Sequence, residues 1–400
     1  MNARERFVAI MNFDYCDRTL NWEFGYWAGA VHRWYQEGLP KKVGLPKELQ
    51  HTYIVRGPGL YWPAGMGTGG VNVYAPVGKD VHAAFNFDKG HRRIPLNTWS
   101  YPPFERKVLE ENEETQIVRD EWGVTQRLSK DSTSPPGYIE WPVKNRKDWE
   151  KFKEERLQIR IKERLPVKWS QLVQEYRKRD YPLMLGGYPC GFYGGLRYLM
   201  GEVTLSTMFY DDPKLIKDIQ KFLSNFWITL YSEVLAEVKP DWCLFWEDMA
   251  YKTGSLISPK HFREFLSPYY KKVTSFLKAN EVNIIHVDSD GNVWELIPLW
   301  LEAGITGVYP MEVNAGMDIV KVRRSFPNLQ ILGGVDKMLL ARGKKEIDKE
   351  LTKIPYMIRK GGYIPYCDHA VPEDIPWKNF KYYRQELWKI IQSTPCGVSQ

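Results

Sequence analysis

Apolar runs alternate regularly with amphipathic helical segments through the second half of the chain. The apolar runs predict short buried strands over residues 182–187, 242–246, 283–288, 307–310, 330–336 and 362–366. The segments between them predict helices over residues 215–238, 294–302, 318–325 and 377–392, one beginning at Ser258-Pro259, and one after residue 336. Ser is a favourable N-cap and Pro fits the first helical position. This alternation is typical of parallel β/α units.

The first half of the chain has a weaker pattern. Residues 3–13 predict a helix, residues 19–23 predict a first strand, and residues 115–128 predict a hairpin that turns near Gly123. Residues 55–103 are rich in Gly, Pro and aromatic side chains. A loop of this length is typical of a lid or a pocket wall.

These patterns together predict an α/β fold, a (β/α)8 TIM barrel with an irregular N-terminal elaboration. The barrel is expected to form a single domain over residues 1–400, with the loops and hairpin of about residues 40–150 lying over its mouth. An open doubly wound sheet is the competing architecture. No G-x-G-x-x-G segment follows a strand and no P-loop occurs, so nothing in the sequence indicates nucleotide binding.

Composition narrows the class of protein. The chain has 56 Lys and Arg against 49 Asp and Glu, and the excess of +7 is spread without a basic block, so no nucleic-acid partner is indicated. The apolar runs fall short of a membrane span, and the N-terminus lacks an apolar signal core, so we expect a cytoplasmic protein. The five cysteines are widely spaced and form no C-x-x-C pair. The 17 Phe, 16 Trp and 24 Tyr favour a pocket with aromatic walls.

Polar residues follow the predicted strands repeatedly, where a β/α barrel has its active site. They are Glu247, Asp248, His286, Asp288, Glu312, Asp336, Asp368 and His369. His286 and Asp288 are two residues apart, so their side chains leave a strand on the same side. Two imidazoles with carboxylates suit a zinc ion with an open position or an acid/base cluster, and a hydrogen-bonded His at a strand end is the simpler alternative.

Cys367 is a further candidate, as a soft ligand or a nucleophile, although a buried cysteine is the commoner outcome. Arg197 suits an anion or a surface salt bridge equally well. Ser/His/Asp catalysis has no supporting G-x-S-x-G motif.

The sequence resembles the uroporphyrinogen decarboxylase superfamily over nearly its whole length. The resemblance rests on residues 5–12 with Asp17-Arg18, and on the segments Trp246–Pro259, His286–Gly291, Leu332–Asp336 and Gly361–His369. It implies a (β/α)8 barrel. True uroporphyrinogen decarboxylases carry a Met-Arg-Gln-Ala-Gly-Arg stretch that holds substrate carboxylates, whereas residues 22–29 here are aromatic and contain no arginine. The resemblance is therefore closer to the corrinoid-dependent methyltransferases of this superfamily.

That branch binds zinc through a His-x-Cys pair and a later cysteine. Here His286-x-Asp288 matches the pair with Asp in place of Cys, and His369 takes the later position. The resemblance thus implies Glu247, His286, Asp288 and His369 as catalytic residues and zinc ligands, with Cys367 as an alternative ligand. An oxygen and nitrogen ligand set makes zinc a harder Lewis acid, suited to an ether oxygen.

The function that we predict from this resemblance is methoxyarene O-demethylation. A methyl group would pass from a small methoxylated aromatic to the cobalt(I) corrinoid of a partner corrinoid protein, because this chain has no corrinoid-binding Asp-x-His-x-x-Gly motif. Trp22, Tyr26, Trp246 and Tyr309 are the predicted substrate-binding residues. A homodimer is the candidate assembly.

Three alternatives remain from the sequence alone. One is transfer of a methyl group from a methylcorrinoid to tetrahydrofolate or a thiol. The second is a barrel that binds a small aromatic without catalysis, and the third is a decarboxylase.

Overall fold

The computed structural model describes residues 1–46, 49, 54–56, 78–130 and 136–397. Its strands are β1 Gly25–Trp27, β2 Ile54–Arg56, β3 Arg92–Arg93, β4 Lys107–Glu111, β5 Thr115–Arg119, β6 Thr125–Ser129, β7 Gly137–Glu140, β8 Leu183–Gly186, β9 Trp242–Trp246, β10 Ala250–Tyr251, β11 Gly254–Ser255, β12 Ile285–Asp288, β13 Gly307–Tyr309, β14 Gln330–Leu332 and β15 Tyr363–Ile364.

The α-helices are α1 Ala3–Met11, α2 Ala28–Gln36, α3 Lys79–Ala83, α4 Arg146–Arg156, α5 Ile161–Arg164, α6 Trp169–Arg177, α7 Phe192–Asp211, α8 Pro213–Leu235, α9 Pro259–His261, α10 Ser267–Ala279, α11 Leu296–Glu302, α12 Ile319–Ser325, α13 Lys337–Leu340, α14 Lys344–Leu351, α15 Ile354–Arg359 and α16 Trp377–Ser393. A π-helical turn, Phe262–Leu266, joins α9 to α10. Among the described residues, no helix is long and apolar enough to cross a membrane.

Seven parallel strands curl into the wall of a TIM-barrel-like fold, as predicted. Their order is β15-β14-β13-β12-β9-β8-β3, so strands that follow one another through the second half are neighbours. In the central register Asp288 lies between Trp246 of β9 and Tyr309 of β13. Strand β8 is buried throughout, as expected for a parallel sheet that is covered on both faces.

The predicted first strand does not form a backbone ladder. The structure gives no strand over residues 19–23; side-chain hydrogen bonds bind this segment to its neighbours instead. Thr19 Oγ1 donates to the carbonyl of Tyr363 in β15 at 2.9 Å, while Trp22 Nε1 donates to the carbonyl of Lys89, just before β3, at 3.1 Å. The segment therefore closes the gap between the two edge strands of the sheet.

Two long-range returns of the chain begin at side-chain caps that the sequence provides. Asp212 accepts a hydrogen bond from the Leu215 amide, and Pro213 opens α8. Ser258 caps α9 in the same way, which confirms the helix start predicted there. These caps fix where each helix returns along the outside of the barrel.

The N-terminal elaboration contains an antiparallel sheet of four strands, β4 to β7. The predicted hairpin is confirmed, since β5 pairs with β6 from Thr115↔Ser129 to Arg119↔Thr125. Gly123 at the turn has a φ of 86°, a conformation that favours glycine. Much of the loop predicted over residues 55–103, including Tyr61-Trp62-Pro63, lies outside the described residues.

Candidate active site

Glu247 lies at the end of β9, but its side chain faces the helices and not the barrel interior. Its carboxylate accepts hydrogen bonds from the amides of Phe192, Tyr193 and Gly194, the first residues of α7, at 2.7, 2.6 and 2.9 Å. The Tyr270 hydroxyl donates a fourth bond. Glu247 is thus a buried N-terminal cap of α7.

Two glycines allow this contact between helix and strand. A Cβ atom at Gly194 would lie 2.4 Å from the Trp246 carbonyl oxygen, and one at Gly191 would lie 1.8 Å from the same atom. The motif Gly191-Phe-Tyr-Gly194 therefore allows α7 to pack onto the end of β9.

Burial raises the pKa of Glu247 to about 7, against the lowering effect of its hydrogen-bond donors.

His286 lies on the floor of the barrel, near the N-terminal ends of the strands. Its Nε2 atom is 2.9 Å from Gln330 Oε1, and Gln330 Nε2 donates to the carbonyl of Met11, the last residue of α1. The imidazole is fully buried beside the Trp242 ring. Burial lowers the pKa of His286 to about 4, so this imidazole is neutral at physiological pH.

The C-terminal mouth carries a different group of side chains, which we call the mouth carboxylates: Asp248, Asp288, Asp290 and Glu312. The Asp290 amide donates to Asp248 Oδ1 at 3.4 Å, and the Gly291 amide donates to Glu312 Oε2 at 2.8 Å. Asp248 has a φ of 43°, a left-handed conformation that is uncommon outside glycine. This turn directs its side chain toward the mouth instead of continuing the strand.

Repulsion within this group favours protonation. Burial and the neighbouring carboxylates of Asp248, Glu312 and Asp288 raise the pKa of Asp290 well above its usual range, and Lys337 opposes that shift. Burial also raises the pKa of Asp248, against the Arg197 guanidinium. The Asp290 side chain remains 40% exposed. The surroundings at the mouth therefore favour the protonated form of Asp290 and Asp248 more than water does.

His369 joins the mouth carboxylates from the opposite side of the barrel. Its Nε2 atom lies 3.7 Å from Asp290 Oδ2, and its ring packs on Phe24 at a centroid distance of 4.6 Å. Cys367 is buried instead, with its amide bound to Glu23 Oε1 and burial raising the pKa of its thiol. Asp368 accepts from Lys337 Nζ at 3.1 Å.

The structure thus separates the four residues predicted as one zinc site. His369 and Asp288 border Asp290 at the mouth, whereas Glu247 caps a helix and His286 bonds Gln330 on the floor. Within the described ranges, no group of three or more His, Cys, Asp or Glu side chains is arranged to hold a metal ion. The predicted ligand set therefore does not fit one zinc ion in this arrangement.

Three of the four predicted substrate-binding aromatics are core residues. Trp22 packs on Phe7 and His91, Tyr26 packs on Trp34 and Phe380, and Tyr309 is buried near Trp242. Trp246 is the exception, since it lines a pocket at the mouth.

That pocket has a volume of about 330 Å³ and adjoins the mouth carboxylates. Its walls are Tyr138, Trp141, Arg197, Tyr198, Glu202, Trp246 and Asp248. The rings support one another: Trp246 contacts Tyr198 at 5.4 Å and Tyr188 at 4.7 Å between centroids. Arg197 donates to the Asp248 carbonyl and pairs with Glu202 at 2.8 Å. Asp248 is therefore a member of both the pocket wall and the carboxylate group.

Sequence reasoning missed two parts of this site. Asp290 stands inside the segment His286–Gly291, but it lies two residues beyond the strand, where the alternation of strand faces no longer gives a direction. Tyr138 lies on β7, far from the barrel strands in sequence, so no local pattern connects it to the mouth. Arg197 was recognised only as a possible anion site or salt bridge, and the structure gives the salt bridge.

Comparisons with known proteins agree with this architecture. The family model described as uroporphyrinogen decarboxylase (URO-D) matches residues 129–387, well over half of the chain. The chloroplastic uroporphyrinogen decarboxylase of Nicotiana tabacum is 28% identical over 131 residues. That match covers 32% of this chain and 32% of the tobacco protein, so the aligned region spans about a third of that relative.

Among solved structures, a putative vitamin-B12-independent methionine synthase from Listeria monocytogenes is similar with a TM-score of 0.31 and 10% identity. The match covers 54% of this chain and 69% of that protein. The family of this chain is assigned from the family model alone. That model covers the barrel strands from β8 onward and the mouth carboxylates. The chain belongs to the uroporphyrinogen decarboxylase family.

Proposed function

We propose that this protein transfers a methyl group from a small methoxylated aromatic compound to the cobalt(I) corrinoid of a separate corrinoid protein. The observation that supports the proposal is the position of Asp248, which borders an aromatic-walled pocket and also Asp290, whose pKa is raised by burial and by the neighbouring carboxylates. An arene and the acid needed to activate its ether oxygen would meet there.

The pocket suits a single substituted aromatic ring. Its volume of about 330 Å³ is at the lower end for small-molecule sites. Trp246, Tyr198 and Tyr138 offer ring faces and edges, which pack against an arene with little loss of conformational entropy. Arg197 is held by Glu202, so its charge does not call for an anionic ligand.

The chemistry requires a proton at the ether oxygen. Phenolate is a poor leaving group, and proton donation lowers the barrier to breaking the bond between oxygen and the methyl carbon. In the proposed step the bond between oxygen and the methyl carbon breaks while the methyl carbon forms a bond to the acceptor. The ether oxygen takes the proton of Asp290 or Asp248. A phenol is then released and the carboxyl group regains a proton from water.

The acceptor is a co-substrate that the partner protein carries. When bound at the mouth, the corrinoid supplies the nucleophile. The contribution of this chain is to hold the arene in the aromatic pocket and to keep a proton on the mouth carboxylates. A carboxyl group with a raised pKa matches general acid catalysis near neutral pH, because a protonated acid is available at the operating pH.

Free cob(I)alamin and a panel of methoxybenzenes test the proposal. The expected result is formation of methylcobalamin and release of the matching phenol, followed by absorbance and chromatography, only when the protein is present. The Asp290→Asn variant should lose most of this activity. No transfer from any methoxyarene, combined with transfer from methylcobalamin to tetrahydrofolate or a thiol, would contradict the proposal and favour the second-step alternative.

A further inference from the structure

The two ends of the described chain meet at a pair of cysteines. Cys16 and Cys396 face each other in an isolated antiparallel β-bridge, and the Cys16 amide is 3.4 Å from the Cys396 carbonyl oxygen. Gly397 has a φ of 67°, and a Cβ atom there would lie 2.4 Å from the Asp14 carbonyl oxygen. The tail after α16 is therefore built to lie against residues 14–16.

The Cys16 thiol donates to the Arg18 carbonyl oxygen at 3.1 Å, and the two thiols of the pair affect each other's pKa. Hydrogen bonding from the Cys396 thiol lowers the pKa of Cys16, and the same bond raises the pKa of Cys396. Facing residues of an antiparallel pair have Cα atoms about 4.5–5.5 Å apart. This spacing lies within the range of about 4.4–6.8 Å that disulfides span.

We propose that Cys16 and Cys396 form a disulfide by exchange with an oxidised low-molecular-weight thiol. The Cys16 thiolate attacks one sulfur of the small disulfide, whose S–S bond breaks and releases one thiolate. Cys396 then attacks the Cys16 sulfur and releases the second thiolate. Two cysteine thiols are oxidised, the small disulfide is reduced to two thiols, and the two cysteine protons pass to the leaving groups.

A small disulfide reaches Cys16 and Cys396 more readily than it reaches the other three cysteines. Both sulfurs are buried, but their chain neighbours Tyr15, Asp17 and Pro395 are exposed, so opening of one short bridge at the chain end uncovers them. Cys190, Cys243 and Cys367 lie inside the barrel wall, and burial raises the pKa of each of these thiols. In contrast to Cys16 and Cys396, these three cysteines have buried residues on both sides in the chain, so no local opening of one bridge exposes them.

The disulfide would close a loop that includes nearly the whole chain. It would fasten the tail of α16 to the segment leading to residues 19–24, which closes the barrel. Those parts already share a buried ion pair, Arg384 with Glu23 at 3.0 Å. Because a cross-link over a long loop reduces the entropy of the unfolded chain, the oxidised protein should melt at a higher temperature than the reduced protein.

Oxidised glutathione, titrated onto the reduced full-length protein, tests the pair. We expect the loss of two of the five thiols, a Cys16–Cys396 cross-linked peptide by mass spectrometry, and faster migration on a non-reducing gel. Cys16→Ser and Cys396→Ser should each abolish the cross-link and retain at most a mixed disulfide with glutathione. Cys190→Ser is the matched control and should form the cross-link as the wild type does.

Two results would overturn the proposal. One is retention of all five thiols at an excess of oxidised glutathione that cross-links a model dithiol peptide. The other is a linkage that persists in Cys16→Ser, or one that joins two chains. Thermal melting of each reduced variant shows whether the substitution itself unfolds the protein, so that a missing cross-link is interpreted on folded material.

Discussion

The floor and the mouth of the barrel treat ionisable side chains in opposite ways, although His286 and Asp290 are only four positions apart in the sequence. On the floor, His286 packs against the Trp242 ring and bonds Gln330, and burial keeps it neutral by lowering its pKa to about 4. At the mouth, Asp290 lies near the carboxylates of Asp248, Glu312 and Asp288, and burial with that repulsion raises its pKa and so favours its neutral form.

The neutral form of His286 on the floor and that of Asp290 at the mouth therefore have different consequences. His286 has no exposed surface, so its neutral form serves the packing of the barrel. Asp290 is 40% exposed and its amide bonds Asp248, which lines the aromatic pocket, so its neutral form carries an acidic proton at the exposed mouth. Perturbed pKa values mark function only when the group also has access to a ligand.

The largest effect is expected from removing the proton at the mouth. Asp290→Asn keeps the size of the side chain but cannot donate a carboxylic proton, so methyl transfer should fall by about 10²–10³-fold. Stability should be unchanged or improved, because one of several repelling carboxylates is lost. Single-turnover rates with cob(I)alamin and a thermal melt measure the two quantities.

A matched carboxylate variant shows whether that loss is specific. Asp348→Asn removes an exposed carboxylate on α14 that bonds Tyr382 and should retain the wild-type rate. An equal loss in Asp348→Asn, or a full rate in Asp290→Asn, would remove Asp290 from the proposed acid role.

The sequence predicted the barrel wall well because buried parallel strands leave a local signal. The run Trp242–Trp246 was predicted with the bounds that the structure has, and the hairpin was predicted around Gly123. The strand predicted over residues 19–23 does not form. The same apolar pattern fits a segment that binds its neighbours through a backbone ladder and one that binds them through the side chains of Thr19 and Trp22. Composition does not distinguish these two ways of closing a barrel.

The site was harder to predict because strand alternation gives the face of a side chain but not its depth. His286 and Asp288 leave β12 on one side, as predicted, yet His286 lies at floor level beside Gln330. Glu247 follows Trp246 by one residue and therefore faces the helices. To place a residue at the mouth, one must know which face of the strand its side chain takes. One must also know how many residues separate it from the last hydrogen-bonded pair of the strand.

The next largest effect concerns the pH dependence of stability. The pKa of His286 is about 6.5 when unfolded and about 4 when folded, so its contribution is complete above pH 6.5 and is lost as the pH falls toward 4. This loss amounts to about 3 kcal/mol. Denaturant unfolding of wild type and His286→Gln across this range should show a stability difference that shrinks toward acid by that amount.

Asp290 should give the opposite slope, which sharpens the comparison. Since its folded pKa is raised, its contribution is complete below the ordinary pKa of aspartate and is lost as the pH rises through the folded value. Asp290→Asn should therefore flatten the stability profile in the pH range that begins at the ordinary pKa of aspartate and ends at the raised folded value. A His286→Gln profile parallel to wild type would show that other groups control acid unfolding. If methyl transfer fell in His286→Gln at unchanged stability, the imidazole would act in the reaction, as the sequence predicted.

The smallest effect should come from the pocket wall. Tyr138 of β7 lies half-exposed on the wall of the aromatic pocket, near the Trp141 ring, and belongs to the N-terminal elaboration and not to a barrel strand. An aromatic contact contributes about 0.5–1.5 kcal/mol, so Tyr138→Leu should raise the KM for a methoxyarene by about 2–10-fold and leave kcat nearly unchanged. The wall holds the arene equally in the ground state and the transition state, whereas the mouth acid acts only as charge develops on oxygen. Tyr210→Leu, which removes an exposed tyrosine that contacts His261 edge-on outside the pocket, is the matched control. A fall in kcat for Tyr138→Leu at constant KM would contradict this division, because it would make the elaboration part of the chemical step and not only of the binding site.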